Sequence, residues 1–567
     1  MVSIDKNVAN TVTLATGARA HKEHVAQNDV IAKNFEAVRP GVWSFVGNGL
    51  SNQTFIEGPA GIIAIDTGES IEEMRAALRE LRIHTPRPIA AVIYSHFHYI
   101  EGTKAILEEG NHVQPLPIYG HEKIAFNRSR TSSEISPAYV RGLVEQFAMV
   151  MPLDGPDATV NIGLGFYFRN PAHAPFTPGH LPITSALGDG ATTTIAGLRV
   201  DSFYAPSDSD DSLTLWFPEL ETCVHNLVWP TLFNVFAIRG EEYRDPQGLI
   251  HGIDHLMTLG AEHLVATHGP SLNGREDIAH KVRRYRDSLQ FLWDQTVRGI
   301  NKGMSTDELA ASITMPDLYR VDYLTSERYG VAEHHVRQIH NGLRGWFDGD
   351  ESKLFPVEPA TRYAKLIAGF GGRQAVTSQV EAALAENDPR WATELATWLV
   401  RSPDCTADDR VLLATCLRTI AERTSSANIR NWCITRARHL DGSGNIDRLF
   451  GHRFTPYTLN GVASALLIQT LRVLLDPVVA EGIDFHIGFA IDGEPAGLHV
   501  RNCVAVPTDG SGADARVVLS RATLNALLSG KASLEAAIDA GDVVVDGDRD
   551  QVVATLSSFE VRGFMTA

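Results

Sequence analysis

The stretch Tyr94-Ser95-His96-Phe97-His98-Tyr99-Ile100-Glu101-Gly102 places two histidines, one residue apart, directly after an apolar run. That run, residues 89–94, has the length and composition of a buried β-strand, and residues 103–109 before Gly110 are typical of a short helix. Because α/β sheets bind ligands at the carboxyl ends of their strands, His96 and His98 are expected at a ligand site. Two imidazoles at this spacing can bind one zinc, iron, manganese or copper ion. The alternative is a pair of surface histidines on a turn.

The segments on either side of this stretch predict two packed sheets with helices outside. Residues 38–65 alternate apolar and polar side chains between glycine turns, as β-hairpins do, and residues 71–83 have the apolar spacing of an amphipathic helix. Strands are expected again over residues 192–203 and 212–217. This order predicts an αββα sandwich that ends near residue 275.

The stretch at 94–102 resembles the metal-binding motif of the metallo-β-lactamase superfamily, usually H-x-H-x-D-H followed by glycine. Four later segments are similar to the alkyl sulfatases of that superfamily: TLWFP at 214–218, RGEEYRD at 239–245, DQTVRGINKG at 294–303 and GWFDG at 345–349. The resemblance covers nearly the whole chain. It implies an enzyme that hydrolyses alkyl sulfate esters with two metal ions.

The resemblance also implies a set of metal ligands, which this chain matches only in part. Asp208 falls where the family has a glutamate ligand, and His268 matches its late histidine. Ile100 and Glu101 stand where the family has aspartate and then histidine, and Asn226 stands where it has a metal-bridging glutamate. The predicted ligands are His96, His98, Glu101, Asp208, Asn226 and His268.

The altered ligands predict two unequal metal sites. A metal on His96, His98 and Asp208 would keep open positions for water and substrate. Since Ile100 offers no ligand atom and an amide is a weak ligand, we expect the second metal to be weak, displaced or absent. The alternative is that Glu101 rebuilds a second site of a different shape. Zinc is the expected metal, with iron or manganese as alternatives.

The function implied by the resemblance is hydrolysis of a sulfate ester or a related anionic substrate by metal-activated water. Arg239 matches the arginine that binds the sulfate group in the family, and the alternative for it is a structural salt bridge. A second hypothesis is a diverged mononuclear or iron enzyme with oxidative or lyase chemistry, because two histidines and one carboxylate also suit non-haem iron. A third is a non-catalytic dimeric binding scaffold.

The composition of the chain indicates which kinds of molecule the protein is expected to bind. The formal net charge of −18 argues against a nucleic-acid partner, so we expect a small anionic substrate with an apolar part, attracted by local positive charge. The five cysteines are scattered and read as reduced thiols. The sequence contains no window of about 18 uninterrupted apolar residues, so we expect no membrane span. No export signal is evident, which favours a cytoplasmic location.

The 567 residues are too many for one core and predict three domains. These are a metallo-β-lactamase-like catalytic domain over 1–275, a helical domain over 276–440 and, after a Gly442-Ser443-Gly444 linker, an α+β domain over 450–567 that contains an apolar helix over 461–475. The resemblance implies that the second domain forms a homodimer and that the third is like sterol carrier protein 2. The alternative is a helical domain that does not self-associate.

Overall fold

Two mixed β-sheets face each other in the N-terminal part of the computed structural model, which describes residues 3–455, 459 and 462–565. A separate ribbon of β1 (Thr11–Thr13) and β2 (Arg19–His21) precedes them. The first sheet has its strands in chain order: β3 (Asn34–Arg39), β4 (Val42–Val46), β5 (Gln53–Gly58), β6 (Gly61–Ile65), β7 (Ile89–Ile93), β8 (Ile118–Gly120) and β9 (Ser185–Ala186). The second sheet is also in chain order: β10 (Ala191–Ile195), β11 (Leu198–Tyr204), β12 (Leu213–Phe217), β13 (Thr222–His225), β14 (His263–Ala266) and β15 (Leu272–Asn273).

Strands β5 and β6 are buried on both faces. On β5, Phe55 belongs to the core that contains helix residues, whereas Ile56 packs in the core between the sheets together with Leu215 and Phe217 of β12. Each of these side chains is fully buried, which stabilises the fold by about 1.5–3 kcal/mol per side chain. Burial on both faces explains why β6 is a continuous apolar run.

The helices of this region lie before, between and after the strands. They are α1 (Lys22–Val30), α2 (Ile71–His84), α3 (Lys104–Glu109), α4 (Ile124–Thr131), α5 (Ser136–Gln146) and α6 (Pro246–Thr258). Helix α2 begins after Ser70, whose hydroxyl accepts a hydrogen bond from the backbone N–H of Glu73. Helix α3 ends at Gly110, whose φ of 78° is the left-handed conformation that glycine adopts at helix ends. The predicted αββα sandwich is confirmed.

A helical region follows the second sheet without a break. Its helices are α7 (Arg275–Asn301), α8 (Thr306–Ser312), α9 (Ala332–Arg344), α10 (Glu351–Leu354), α11 (Pro359–Gly369), α12 (Arg373–Ala385), α13 (Pro389–Arg401), α14 (Ala407–Arg423) and α15 (Ala427–Leu440). Their buried side chains belong to the same core as those of α6 and β13. The predicted helical region is therefore confirmed, while its separation as a domain at 275/276 stays a prediction.

The C-terminal part is an α+β domain, as predicted. Its elements are α16 (Ser464–Thr470), β16 (Phe485–Ile491), β17 (Glu494–Arg501), β18 (Val504–Thr508), β19 (Ala515–Leu519), α17 (Arg521–Leu528), α18 (Leu534–Asp539), β20 (Val543–Asp546) and α19 (Arg549–Ser557). Strand order is β18-β17-β16-β19-β20. The helix predicted over 461–475 is shorter, since α16 gives way to a 3-10 turn at Leu471–Leu474, and residue 461 lies outside the described residues.

The contacts divide the chain into two compact units. One contains residues 1–125 and 142–446, and the other contains residues 126–141 and 447–567. All of the predicted site residues belong to the first unit. Among the described residues, no helix is long and apolar enough to cross a membrane. The likeness of the C-terminal domain to sterol carrier proteins stays a prediction.

Candidate metal centre

Directly after β7, a chain of hydrogen bonds from Asp66 through Ser95 orients His96. Asp66, which follows β6, accepts hydrogen bonds from the backbone N–H of Ser95 at 2.8 Å and from its hydroxyl at 2.7 Å. The same hydroxyl lies 2.8 Å from Nδ1 of His96. Burial raises the pKa of Asp66 to about 7, against the hydrogen bonds from Ser95. When the Asp66 carboxyl is ionised, Ser95 donates to it and accepts from Nδ1–H of His96. This tautomer leaves Nε2 of His96 unprotonated, as a metal ligand requires.

Three side chains converge at the end of β7. Nε2 of His96 lies 3.1 Å from Nδ1 of His98, which lies 3.0 Å from Oδ2 of Asp208, and Oδ1 of Asp208 is 3.7 Å from Nε2 of His96. Ligands held tetrahedrally at about 2.0–2.2 Å from zinc lie roughly 3.3 Å apart, so this donor set fits one metal ion. Within the described part of the chain, no other His, Cys, Asp and Glu side chains form such a group.

The charges of this group suit a cation. Burial lowers the pKa of His96 to about 3, against the negative charge of Asp208, so the imidazole is neutral. Burial alone would raise the pKa of Asp208, but His96 and His98 hold it well below its usual range. A neutral imidazole at His96 and an ionised carboxylate at Asp208 are the protonation states in which these two side chains bind a divalent metal.

Asn226 contacts this group as a hydrogen-bond donor. Its Nδ2 lies 2.6 Å from Oδ1 of Asp208 and 3.0 Å from Oγ of Ser207, and its Oδ1 accepts from Nε1 of Trp229 at 3.0 Å. The amide oxygen, the atom that binds metals, therefore faces the indole. The amide nitrogen instead fixes the orientation of Asp208, which is how partners of metal ligands usually act.

The other predicted ligands lie outside the group of three. Nδ1 of His268 donates to the backbone oxygen of Leu50 at 3.0 Å, and its Nε2 is 3.3 Å from the hydroxyl of Tyr99. The side chain of Ile100 is fully buried in the apolar core that contains α2 and α3. Glu101 begins the turn into α3, where its backbone N–H donates to Gly68 at 3.0 Å.

Two buried arginines lie beside the group. Nη2 of Arg239 is 2.5 Å from Oε2 of Glu241, and Oε2 of Glu241 is 3.9 Å from Nε2 of His98. Arg244 donates through Nη1 to the backbone oxygen of Asn234 at 2.8 Å, and it lies over the rings of Trp229 and Phe233. Among the described residues, no carboxylate comes within 4.0 Å of the Arg244 guanidinium.

Arg244 is thus a buried cation without an ion pair among the residues that the structure describes. Burial lowers its pKa, against the charge of Asp208, and its Nε has no hydrogen-bond partner among the described atoms. Burial raises the pKa of Tyr329 to about 12, while the positive charges of Arg239 and Arg244 act to lower it. Its hydroxyl accepts from Nε2 of Gln146 at 2.7 Å. A buried cation of this kind is stabilised when it binds an anion.

Comparisons with known proteins agree with this architecture. Residues 305–443 match the family model described as alkyl sulfatase dimerisation, and residues 453–562 match alkyl sulfatase C-terminal. The chain is 32% identical over 522 residues to the linear primary-alkylsulfatase of a Pseudomonas species, covering 89% of this chain and 98% of that protein. The chain belongs to the alkyl sulfatase family. It is also 28% identical over 568 residues to an (R)-specific secondary-alkylsulfatase of Pseudomonas, covering 96% and 82% of the two chains.

A solved structure shows that this alkyl sulfatase shares the fold of its relatives. The stereoselective inverting sec-alkylsulfatase Pisa1 from Pseudomonas superposes with a TM-score of 0.83 at 23% identity, covering 97% of this chain and 88% of that one. The identification as an alkyl sulfatase is therefore confirmed by the 32% identical relative. The individual roles of the predicted site residues stay predictions.

Several residues of this alkyl sulfatase site were not singled out from the sequence. Arg244 lies in the RGEEYRD segment that carried the resemblance, so its position was a signal that we did not use. Tyr99 occupies the variable position of H-x-H-x, where no pattern marks a role. Trp229 and Ser95 reach the site through side-chain orientation, which sequence spacing does not reveal.

Proposed function

We propose that this alkyl sulfatase hydrolyses the sulfate ester of an alkyl chain at a divalent metal held by His96, His98 and Asp208. The observation that carries the proposal is the buried three-donor group beside Arg244, a buried cation that has no ion pair in the described part of the chain. The relatives are named alkylsulfatases, which supports hydrolysis over oxidative chemistry or a non-catalytic scaffold. Zinc is the metal that we propose, because two histidines, a carboxylate and open positions suit catalytic zinc.

In this proposal the protein residues prepare the site for one anionic group. When bound, the metal supplies Lewis acidity and lowers the pKa of a water toward about 7. Asp66 and Ser95 hold the proton on Nδ1 of His96, so that Nε2 stays a ligand. Asn226 holds Asp208 in place through Oδ1.

Arg244 and Arg239 would bind the sulfate oxygens. The net charge of −18 repels anions, so attraction for a sulfate ester must come from local cations. A guanidinium presents a fork of N–H donors that suits a tetrahedral oxyanion, and its attraction is strong in a buried site. An incoming sulfate group would supply the counter-charge that Arg244 lacks among the described residues.

A homodimer is part of the same proposal. Residues 305–443 match a dimerisation family model, and this region exposes large apolar side chains, with Trp346 exposed by 67% and Phe355 by 87%. Large apolar side chains that are exposed on a single chain can be buried at an interface with a second copy. We propose that a second copy of the chain covers them.

Sulfate release from dodecyl sulfate tests the function. Metal-replete protein should release inorganic sulfate, measured by ion chromatography, and His96→Ala or His98→Ala should lose at least about 10³-fold in rate because a first ligand is removed. His263→Ala is the matched control, since His263 is a partly exposed histidine at the start of β14 that bonds to Asn273. If the parent protein, loaded with zinc, manganese or iron in turn, released no sulfate, the proposal would be wrong.

A further inference from the structure

Tyr99 stands between His96, a ligand of the first predicted metal, and His268, the late histidine of the predicted ligand set. Its ring centroid is 5.1 Å from that of His96 and 5.3 Å from that of His268, and the ring is nearly perpendicular to both. The side chain is 4% exposed. A buried aromatic ring in this place leaves little room for an ion between the two imidazoles.

Both ring nitrogens of His268 already have partners. Nδ1 donates to the backbone oxygen of Leu50, so Nε2 carries a lone pair, and the hydroxyl of Tyr99 lies 3.3 Å from it. Trp229 packs edge-on against the same imidazole at a centroid distance of 5.5 Å. His268 is therefore enclosed by two aromatic rings, and its only metal-binding atom faces a hydroxyl donor.

The other residues expected around a second metal do not supply a set of ligands for one. Ile100 is apolar and belongs to the core, and the amide oxygen of Asn226 accepts from Trp229. Glu101 and His268 are not part of the group of three, and no second such group exists among the described residues. The donor set fits one metal and does not fit two.

The loss of charge is consistent with the loss of one ion. Relative to the resemblance, Ile100 and Asn226 remove two negative charges, Glu101 in place of a histidine adds one, and a missing divalent cation removes two positive charges. The neutral Tyr99–His268 pair therefore suits a site without its second cation. Had the cation alone been lost, two buried carboxylates would have stayed uncompensated, which is strongly unfavourable.

We propose that this chain is a one-metal member of its family, in which the Tyr99 hydroxyl takes the place of the second metal at Nε2 of His268. The inference rests on the proposed function for the metal on His96, His98 and Asp208, and adds the number of ions and the residue that sets it. It makes Tyr99 a positioning residue that holds His268.

Metal counting on the full-length chain tests this directly. Protein purified without chelator and dialysed against zinc should contain one metal per chain by mass spectrometry, and apo protein titrated with zinc should show one calorimetric binding event. Two equivalents of tightly bound metal on the parent protein would overturn the proposal. So would a large loss of metal in Glu101→Gln but not in the control Glu108→Gln, because it would make Glu101 a ligand.

Two multiple variants isolate the role of Tyr99. The triple variant Ile100→Asp, Glu101→His, Asn226→Glu restores the family ligands but keeps the tyrosine, and should still bind one metal. Adding Tyr99→Ala should give two. Two metals in the triple variant, or one in a folded quadruple variant, would show that Tyr99 does not set the number.

A simpler variant covers the case in which the quadruple variant fails to fold. Tyr99→Ala alone frees Nε2 of His268 but supplies no further ligand, so the folded single variant should still bind one zinc; a second zinc-binding event in it would contradict the claim that the other residues do not form a second site. Sulfate release is a separate measurement. Sulfate release by a protein that binds two metals would overturn this inference and support the proposed function. One bound metal without sulfate release would support this inference and contradict the proposed function.

Discussion

The amide nitrogen of Asn226 donates a hydrogen bond to Oδ1 of Asp208 at 2.6 Å, while the amide oxygen of the same side chain accepts from the indole of Trp229. Asn226 is thus a bridge between a carboxylate of the metal group and a buried aromatic ring. An aspartate at this position would put two carboxylates in direct contact, which explains why an amide suits this neighbourhood.

Asn226→Ala should weaken metal binding without removing a ligand. The loss of its hydrogen bond frees Asp208 to rotate, and loss of such a partner lowers metal affinity by about 10–100-fold. Competition with a zinc chelator measures the change. Asn273→Ala, an exposed asparagine on β15, is the control and should leave affinity unchanged. Unchanged affinity in folded Asn226→Ala would mean that Asp208 is held by other contacts.

Arg244→Met should weaken substrate binding without lowering the stability of the fold. Because the guanidinium is buried without an ion pair among the described residues, an apolar side chain of similar length should leave the free energy of unfolding unchanged or raise it by about 1 kcal/mol or more. The same change should lower kcat/KM for dodecyl sulfate by at least about 100-fold, since a charged hydrogen bond to the anion is lost.

Inorganic sulfate provides a readout of Arg244 that does not need turnover. Sulfate should raise the unfolding temperature of the parent protein by binding the folded state, and should raise that of Arg244→Met much less. Arg275→Met, at an exposed arginine that begins α7, should behave like the parent. An equal sulfate effect on both variants would place the anion elsewhere.

A feature of the fold or site could be predicted from the sequence only where it depends on a local pattern of residues. The apolar run before His96 and the glycine after α3 are local signals, and the predicted strand and helix are confirmed there. The convergence of His96 and His98 with Asp208 followed from a motif. By contrast, Ile100 and Asn226 showed that two of the family's carboxylate ligands are absent, but the sequence did not show that Tyr99 lies beside His268. The position of the Tyr99 ring depends on packing across two sheets.

Burial is the second property that the sequence did not reveal. Glu73 lies on the face of α2 that also buries Met74 and Ala77, and an acidic residue in the first turn of a helix is ordinarily exposed. In the structure its Oε1 accepts from Nε2 of Gln53 at 2.9 Å, and its side chain is almost completely buried. Burial raises the pKa of Glu73 to about 8, against the hydrogen bonds from Glu69 and Gln53.

Glu73→Gln should therefore change how stability depends on pH. The folded pKa lies above the ordinary value of 4.5, so the parent protein keeps this contribution fully below pH 4.5 and loses it as pH rises toward 8. Each pH unit in that window removes at most about 1.4 kcal/mol. Urea unfolding at pH 5 and pH 8 should show a smaller loss in Glu73→Gln than in the parent. The control Glu80→Gln, on the same helix, should show the parental loss.

Charge placed on the exposed apolar residues of the helical region should break the dimer. Trp346 follows α9 and Phe355 follows α10, and both side chains are largely exposed in the single chain. Burying a glutamate against a second copy would leave a desolvated charge, so Trp346→Glu with Phe355→Glu should shift the mass seen by light scattering at micromolar concentration from dimer to monomer. Val478→Glu, at an equally exposed apolar residue of the C-terminal unit, should leave the dimer intact. A parent protein that is monomeric at this concentration, or a dimer that survives the double change, would mean that these two side chains do not form the interface.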